Sequence, residues 1–213
     1  MFDVCETFVS LSGESRWQGL LTTFIRFAGC DVDCEWCDTE YARRGESTPV
    51  ELEQLLSICR TSAVPRVALT GGEPLLQPEL PQLCSALLVD GYDVQLETSG
   101  TRLIGDIDSK VMKVVDIKPP GARAQRGFHW GNLDLVDSKD QIKFVLASRE
   151  DYDWSLGIIA KVGLEKICDV IFSPVAGRLD PSELADWMIA DRVTARLQLQ
   201  LHKQLWPTAE KGR

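Results

Sequence analysis

Short runs of apolar, often β-branched residues alternate along this chain with segments in which apolar residues recur every three or four positions. This alternation is typical of an α/β domain whose sheet is largely parallel. The apolar runs predict strands at residues 21–27, 66–69, 93–96, 112–117, 141–146, 169–172 and 195–201. We therefore expect a series of strand–helix units in one α/β fold.

The helical periodicity is clearest at residues 49–60. We expect Thr48 to cap this helix, with Pro49 in its first turn and Glu51 completing a capping box. Further helices are predicted at residues 79–90 with Gly91 as the stop, at 150–162, and at 181–191 with Asp180 as the cap. The connections at 99–109 and 119–139 are too rich in glycine, proline and polar residues for helices, so a barrel built on them would be irregular and incomplete.

Size and composition fit one globular domain that spans residues 1–213, with 44% hydrophobic residues. The net charge of −9 argues against nucleic-acid binding, which needs a basic face. No apolar run reaches the roughly 18 residues of a membrane helix, so no membrane association is expected. Seven cysteines are an odd number, which argues against a disulfide framework and favours the reducing cytoplasm.

Polar residues and glycines follow most of the predicted strands. Because the carboxyl ends of parallel strands lie on one face of a sheet, these residues are expected to form a single site. The strand-end segments are Arg26 with the loop after it, and residues 70–74, 97–100, 116–119, 173–175 and 200–203.

Three cysteines lie close together in one of these segments, at Cys30, Cys34 and Cys37. A structural zinc ion needs four ligands, and iron–sulfur clusters are usually held by four thiolates. Three thiolates on one loop therefore indicate a cubane cluster with one iron open to a group that is not protein. Two alternatives stay open, a zinc site completed by His129, Cys84 or His202, and a chance cluster of reduced cysteines.

The cysteine spacing, the aromatic Trp36 before the last cysteine, and the Thr-Gly-Gly-Glu-Pro segment at 70–74 resemble the radical S-adenosylmethionine (SAM) superfamily. The resemblance implies a 4Fe-4S cluster whose open iron binds SAM. Further segments resemble the 7-carboxy-7-deazaguanine synthase family, at 6–14, 24–30, 37–39, 97–100, 116–120 and 200–203. That family contracts the ring of 6-carboxy-5,6,7,8-tetrahydropterin to 7-carboxy-7-deazaguanine with loss of ammonia, on the route to queuosine.

The resemblance implies an incomplete, irregular parallel (β/α) barrel of about six strands, with the cluster loop at 29–39. It also implies a homodimer, a Mg²⁺ requirement and an external electron donor such as flavodoxin. By resemblance the substrate-binding residues are Leu11, Ser12, Gly13, Glu14, Arg26, Thr70, His202 and Thr208. The cofactor-binding residues are Gly72, Glu73, Glu97, Ser99, Asp116, Ile117, Lys118, Ser173, Pro174, Val175 and Ala176, and Thr39 is the Mg²⁺ ligand.

Several of these side chains also have plain structural interpretations. Arg26 suits the substrate carboxylate through a bidentate contact, but an ion pair with Glu14 or Glu73 would also explain a charge after an apolar strand. Glu14 suits an aminopyrimidinone edge, or else is a solvated loop residue. His202 could be a hydrogen-bonded core residue, and the Asp38–Thr39 pair a helix cap. Ser12 and Ser15 depart from the family, which usually has glutamine and glycine there.

Two other functions compete with the synthase. An activase that forms a glycyl radical on a partner protein would share the cysteine loop, but would give Glu14, Arg26 and the 200–203 segment no reason to cluster. A zinc or iron–sulfur interaction module without enzymatic activity would bind no SAM.

Overall fold

The computed structural model describes residues 1–44, 46–209 and 211–212, and its centre is one mixed sheet. The sheet order is β3-β1-β2-β4-β5-β6-β7-β8-β9. The strands are β1 Phe2–Leu11, β2 Leu21–Phe27, β3 Thr48–Val50, β4 Arg66–Gly71, β5 Asp93–Thr98, β6 Met112–Asp116, β7 Gln141–Leu146, β8 Asp169–Pro174 and β9 Arg196–Leu197.

Six parallel strands of five to seven residues, β2 and β4–β8, form the body of the sheet, and the two-residue β9 extends it. Strands β1 and β3 add an antiparallel edge next to β2. Within the described residues β9 does not pair with β3, so the sheet curls without closing. The predicted incomplete, irregular parallel barrel is confirmed.

Within the described residues six α-helices accompany the sheet: α1 Glu40–Arg44, α2 Leu52–Ser62, α3 Leu80–Val89, α4 Arg149–Val162, α5 Pro181–Ala190 and α6 Leu201–Leu205. The predictions for α3, α4 and α5 hold to within one or two residues, and Asp180 caps α5 as expected. In the described part of the chain, no helix combines the length and apolar character that a membrane span requires.

The predicted start of α2 is wrong. Pro49 lies in β3, where its Cα pairs with that of Asp3, and the helix begins only at Leu52. The N-cap is Glu51, which forms a capping box with Gln54 rather than with Thr48. An edge strand tolerates proline because the missing N–H faces away from the ladder.

The predicted strand at 195–201 is also largely wrong. Only Arg196 and Leu197 pair with β8, and Leu201 begins the short helix α6. The side chain of Gln198 is buried and binds the backbone of Ser15, and the Leu201 N–H donates to Gly13 O at 3.0 Å. The chain therefore leaves the sheet to hold the β1–β2 loop.

Two apolar cores of the described residues lie between the helices and the outer face of the sheet. One packs α2 and α3 against the β1–β5 half and includes Leu55, Leu69 and Leu83. The other packs α4 and α5 against β6–β8 and includes Phe144 and Phe172. The helices thus cover the apolar outer faces of the strands, which leaves the concave inner face for polar side chains.

The loop at 12–20 between β1 and β2 closes the amino-terminal end of the sheet, and we call it the plug. Ser15 donates from N to Gln198 Oε1 at 2.7 Å and from Oγ to Gln95 Oε1 at 2.6 Å. Arg16 donates from N to Gln141 Oε1 at 2.8 Å and from Nε to Asp169 Oδ2 at 2.8 Å. Ser15 has a φ of 67°, a left-handed conformation that favours glycine. The buried hydrogen bonds of Ser15 offset the energetic cost of this conformation.

Candidate active site

The concave side of the sheet encloses a cavity of about 1110 Å³. Alternate residues of each strand face it, as the two-residue period of a strand requires, for example Val114 and Asp116 on β6, and Lys143 and Val145 on β7. The predicted site residues that line it are Leu11, Ser12, Gly13, Glu14, Arg26, Cys30, Cys34, Cys37, Thr39, Thr70, Gly72, Glu97, Ser99, Asp116, Lys118, Val175, Ala176 and His202. Most of the predicted site residues therefore lie around one cavity.

Five predicted residues do not line the cavity. Ile117 is fully buried in the core, Ser173 and Pro174 are buried in β8, and Thr208 is exposed. Glu73 is also fully buried. It accepts hydrogen bonds from Thr98 Oγ1 at 2.7 Å, Ser99 N at 2.9 Å and Leu75 N at 3.0 Å, and from Ser99 Oγ. Its carboxylate thus ties the ends of β4 and β5 together, and cofactor binding by this side chain stays a prediction.

The three loop cysteines all face the cavity as free thiols. Burial raises the pKa of Cys34 to about 11, against the opposing charge of Lys118, and burial also raises the pKa of Cys30. A positively charged iron centre is the kind of partner that would stabilise these thiolates.

The arrangement does not suit a single metal ion. Among the described residues no group of three or more His, Cys, Asp or Glu side chains is close enough to hold one. Cys84, a suggested fourth zinc ligand, is buried in the apolar core. In a cubane each thiolate binds a different iron, so its ligands lie farther apart than those of one ion. The donor set fits a 4Fe-4S cluster better than zinc.

The Gly71–Gly72 turn packs directly against the cluster loop. A Cβ added to Gly72 would lie 2.0 Å from Gly29 O, and one added to Gly71 would lie 2.3 Å from Phe27 O. The Glu73 N–H donates to Gly29 O at 2.8 Å and fixes this close approach. Glycine is required here because the backbone of one loop lies on the backbone of the other.

One predicted cofactor contact that lines the cavity, Asp116, carries a buried oxygen atom, Oδ1, that has no hydrogen-bond partner among the described residues. Buried polar atoms are normally paired, so this atom indicates a place for a polar group of a ligand. Ser173 Oγ is likewise buried and unpaired within the described residues, but it lies in β8 and does not line the cavity. Asp116 Oδ2 is bound by Lys118 Nζ at 2.8 Å, and the two charges hold each other ionised, despite burial, with the pKa of Asp116 lowered and that of Lys118 raised.

A lysine that the sequence analysis did not select, Lys143, lies at the centre of the cavity. Its Nζ is 2.6 Å from Glu14 Oε2 and 3.4 Å from Asp116 Oδ2, and all three side chains are 13% exposed. Burial opposes its charge, but the carboxylates of Glu14, Asp116 and Glu97 raise its pKa well above the ordinary value. Burial likewise disfavours ionised Glu14, yet Lys143 lowers the pKa of that carboxyl. Glu14 is therefore a buried, ionised group and not a solvated loop residue.

Glu97 differs from the other carboxyls of the cavity. Burial and the negative charge of Glu14 raise its pKa, in spite of Lys143 and a hydrogen bond from Thr70 Oγ1 at 2.9 Å. Gln95 Nε2 donates to its other oxygen at 2.7 Å.

Arg26 pairs with neither of the two acids that the sequence suggested. Its Nε donates to Glu6 Oε1 at 2.8 Å, and Tyr41 OH donates to the same oxygen at 2.8 Å. The guanidinium lies over the rings of Phe8 and Tyr41, at 5.7 and 5.9 Å from their centroids. These contacts fix the plane of the guanidinium at the wall of the cavity.

His202 packs on the plug at Gly13, where an added Cβ would lie 2.0 Å from Nδ1. Burial lowers the pKa of His202 against the charges of Glu14 and Asp38, so the imidazole is neutral near neutral pH. Asp38 accepts from Lys203 Nζ at 3.0 Å and from Gln200 Nε2 at 3.2 Å. Burial opposes its ionisation, but Lys203 lowers its pKa to about 2.

Lys143, Glu6 and Tyr41 are the contributors that the sequence analysis missed. The signal for Lys143 was a lone charge between Ile142 and Phe144 in a strand that is otherwise apolar after Gln141, and such a charge is costly unless it is paired. No signal in the sequence pairs Glu6 with Arg26 and Tyr41, because that contact depends on the antiparallel register of β1 with β2.

Residues 24–116 match the Radical SAM superfamily. The chain is 36% identical to the 7-carboxy-7-deazaguanine synthase of Koribacter versatilis, over 98% of this chain and 99% of that protein. It is 37% identical to the enzyme of the same name from Chlorobaculum tepidum, over 99% of this chain and 96% of that protein. Its fold is similar to the crystal structure of QueE from Escherichia coli, with a TM-score of 0.80, 24% identity and 94% of each chain covered.

Proposed function

Since the chain belongs to the 7-carboxy-7-deazaguanine synthase family of radical SAM enzymes, we propose that its cavity holds SAM and the pterin substrate side by side. SAM would lie between the cluster loop, the Gly71–Gly72 turn and the Asp116–Lys118 pair. The pterin would lie against Glu14, Arg26 and His202, on the plug side of the cavity.

The enzyme is a carbon–nitrogen lyase that converts 6-carboxy-5,6,7,8-tetrahydropterin to 7-carboxy-7-deazaguanine with loss of ammonia, in queuosine and 7-deazapurine biosynthesis. When bound, the 4Fe-4S cluster and SAM supply the 5′-deoxyadenosyl radical that abstracts a hydrogen atom from the substrate. Neither the glycyl-radical activase nor the interaction module explains full-length similarity to a synthase.

The protein's part in this reaction is to bind, orient and enclose the substrate. The ionised Glu14 accepts hydrogen bonds from the amino and ring N–H groups of the aminopyrimidinone, and Lys143 keeps that carboxylate charged and in position. Arg26, whose Nε is held by Glu6, presents its Nη edge to the substrate carboxylate. The neutral His202 offers one donor and one acceptor to the polar edge of the ring.

One observation carries this proposal. Three cysteines and a group of pterin-compatible polar side chains line the same cavity, so radical generation and substrate recognition share one enclosed volume.

The magnesium ion is proposed to bind at Thr39, whose side chain faces the cavity next to Asp38. Mg²⁺ binds oxygen, keeps several waters and often takes most of its remaining ligands from the substrate, so one hydroxyl is a reasonable protein contribution. Because Asp38 is bound by Lys203 and Gln200, the substrate carboxylate is the natural second ligand.

The remaining proposals concern the oligomeric state, the electron donor and the compartment of the enzyme. By family membership we propose a homodimer, and an external electron donor such as flavodoxin. The proposed compartment is the cytoplasm, whose reducing conditions keep cluster thiolates available for iron.

The test is anaerobic reconstitution of the cluster, followed by turnover with carboxytetrahydropterin, SAM, Mg²⁺ and dithionite. We expect deazaguanine product from the native chain, and neither product nor SAM cleavage from the Cys34→Ala variant. Cys84→Ala is the matched control, since that thiol lies in the apolar core and should not affect iron binding. SAM cleavage without deazaguanine product would refute the substrate assignment, and activity in Cys34→Ala would refute the cluster site.

A further inference from the structure

Lys143 joins the two sides of the cavity. Its Nζ lies 2.6 Å from Glu14 Oε2 and 3.4 Å from Asp116 Oδ2, and all three side chains are largely buried. Glu14 belongs to the plug, on the proposed pterin side, and Asp116 is the last residue of β6, on the proposed SAM side. The ammonium group of Lys143 therefore bridges two carboxylates that are proposed to contact different ligands.

The fold fixes the two contacts of Lys143 in different ways. Asp116 and Lys143 are partners in the parallel register of β6 and β7, so the backbone of the sheet sets their separation. Glu14 lies on a loop, and its neighbour Ser15 is bound at the amino-terminal end of the sheet. Within the cavity the carboxylate of Glu14 is held by Lys143 and by Gln200 Nε2, which donates to Oε1. Lys143 therefore ties the plug to a strand of the sheet.

Neither stability nor charge balance explains this bridge. Well-packed apolar residues often replace a buried ion pair with no loss of stability, and the same two strands present Val114 and Val145 to the cavity. Asp116 also has a cation of its own, because Lys118 Nζ lies 2.8 Å from Oδ2. The contact between Lys143 and Asp116 thus adds a fixed link between the plug and β6, beyond the neutralisation of a charge.

We propose that Lys143 is a positioning residue, which holds Glu14 at a fixed distance from Asp116 and so aligns the pterin with SAM for hydrogen transfer. The inference rests on the proposed function, because it takes the two sides of the cavity as the pterin site and the SAM site. The step that it serves moves one hydrogen atom from a substrate carbon to the 5′ carbon of the deoxyadenosyl group. One C–H bond breaks in the substrate, and one forms in the nucleoside.

The reaction needs such an alignment because its two ligands are bound by different elements, the plug and the sheet. Reacting atoms must approach to about 3–3.5 Å, and a misplacement of about 1 Å can lower a rate about 100-fold. If the plug shifted relative to the sheet, both ligands would still bind, but SAM would be cleaved without conversion of the pterin. Lys143 prevents this shift, because its ammonium group contacts both elements inside the cavity.

The test uses two variants of the reconstituted holoenzyme, which separate the length of the side chain from its charge. Lys143→Arg keeps the charge, but its side chain is longer and should hold Glu14 farther from Asp116. Anaerobic calorimetry on the oxidised holoenzyme, which does not cleave SAM, should give native Kd values for SAM and for carboxytetrahydropterin. After addition of dithionite, the amount of deazaguanine formed per SAM cleaved should fall about tenfold or more.

Lys143→Met removes the charge as well. The Kd for the pterin should rise about tenfold or more, because Glu14 loses the cation that keeps it ionised, and hydrogen bonds to charged acceptors are among the stronger ones. The Kd for SAM should stay native, since Asp116 keeps Lys118 at 2.8 Å. If the methionine variant does not fold, Lys143→Arg decides alone.

Lys139→Met is the matched control. Lys139 also lies between two carboxylates, with its Nζ 2.7 Å from Asp137 Oδ2 and 3.3 Å from Asp140 Oδ1. It precedes the amino-terminal end of β7 and does not line the cavity. This control should leave both Kd values and the yield of deazaguanine per SAM cleaved unchanged.

Three results would overturn the positioning role. The yield of deazaguanine per SAM cleaved could be native in Lys143→Arg, or the Kd for the pterin could be native in Lys143→Met. Binding of SAM and of the pterin could also weaken equally in either variant, as a general structural role predicts. A native enzyme that cleaves SAM but forms no deazaguanine would refute the proposed function, and this inference with it. That result comes from the native chain alone, so the two failures are distinguishable.

Discussion

Replacement of Lys143 by methionine tests the charge balance at the centre of the cavity. Methionine keeps most of the length of the side chain and removes its charge, so Glu14 loses the ammonium at 2.6 Å and keeps only Gln200. Asp116 keeps Lys118 at 2.8 Å. The variant thus leaves one buried carboxylate, Glu14, without a cation.

The expected magnitude follows from the distance and the burial. At an effective dielectric of about 20, two charges 2.6 Å apart attract by about 6 kcal/mol, part of which the desolvation of both groups cancels. Breaking such a buried pair typically costs about 3–5 kcal/mol. We expect the free energy of unfolding of the Lys143→Met variant to fall by that amount near neutral pH.

The pH dependence of the free energy of unfolding tests the same hypothesis. In the native chain the pKa of Glu14 is lowered, so its contribution to stability is present above the ordinary pKa and is lost as pH falls through the lowered one. The pKa of Lys143 is raised, so its contribution is lost only as pH rises through that raised value. Without Lys143, burial raises the pKa of Glu14. Protonation of Glu14 then removes the unpaired buried charge that destabilises the variant. The difference in stability between the two proteins should therefore shrink as the pH falls from neutral toward the ordinary pKa of a glutamate side chain.

The assay is equilibrium urea unfolding of the cluster-free proteins, followed by tryptophan fluorescence, in a double-mutant cycle with Glu14→Gln. The double variant has no unpaired charge at this place, so it should be more stable than the sum of the single losses predicts. Additivity within about 0.5 kcal/mol would refute the coupling of the two residues.

Three further substitutions test the close approaches around the cavity. Gly72→Ala should prevent stable cluster binding, because its Cβ would lie 2.0 Å from Gly29 O; iron and sulfide content after reconstitution measures this. Gly13→Ala should displace His202, whose Nδ1 would lie 2.0 Å from the new Cβ, and should raise KM for the pterin while cluster content stays native. Arg26→Lys should raise KM for the pterin about tenfold or more, because lysine cannot form a bidentate contact, with uncoupled SAM cleavage retained.

Matched variants control each of these experiments. Gly157→Ala places a Cβ in open space in the middle of α4, and should stabilise the protein by up to about 1 kcal/mol with full iron content. Gly105→Ala makes only ordinary contacts, the nearest at 3.6 Å, and should leave KM unchanged. Arg60→Lys alters an exposed ion pair on α2 and should leave KM unchanged too. Native iron content in Gly72→Ala, or a native KM in Gly13→Ala or Arg26→Lys, would contradict the corresponding contact.

The strands that could be predicted were those with a continuous apolar pattern. Strands β2 and β4–β8 have buried residues on both faces of much of their length, so apolar runs reveal them. Strand β1 was missed because it mixes Asp3, Glu6 and Ser10 with its apolar residues, as suits an antiparallel strand near the edge. Strand β3 was hidden by Pro49, which also suits the first turn of a helix.

The candidate site was predictable in its motifs and not in its pairings. The cysteine loop and the Gly71–Gly72 turn are local in sequence, so their spacing alone indicates their role. The contacts of Lys143 with Glu14 and of Arg26 with Glu6 join residues 129 and 20 positions apart. Such contacts are set by strand register and by the path of the plug, which no local pattern records.

The plug has a consequence for engineering and evolution. In most barrels of parallel strands, the amino-terminal end serves stability and the carboxyl end serves catalysis, so the two can change independently. Here the segment that seals the amino-terminal end also carries Gly13 and Glu14 to the wall of the cavity, and Arg16 anchors it to Asp169. Stabilising substitutions near that ion pair would therefore also shift Glu14, the carboxylate proposed to bind the substrate, and selection for substrate binding and for stability would act on the same few positions.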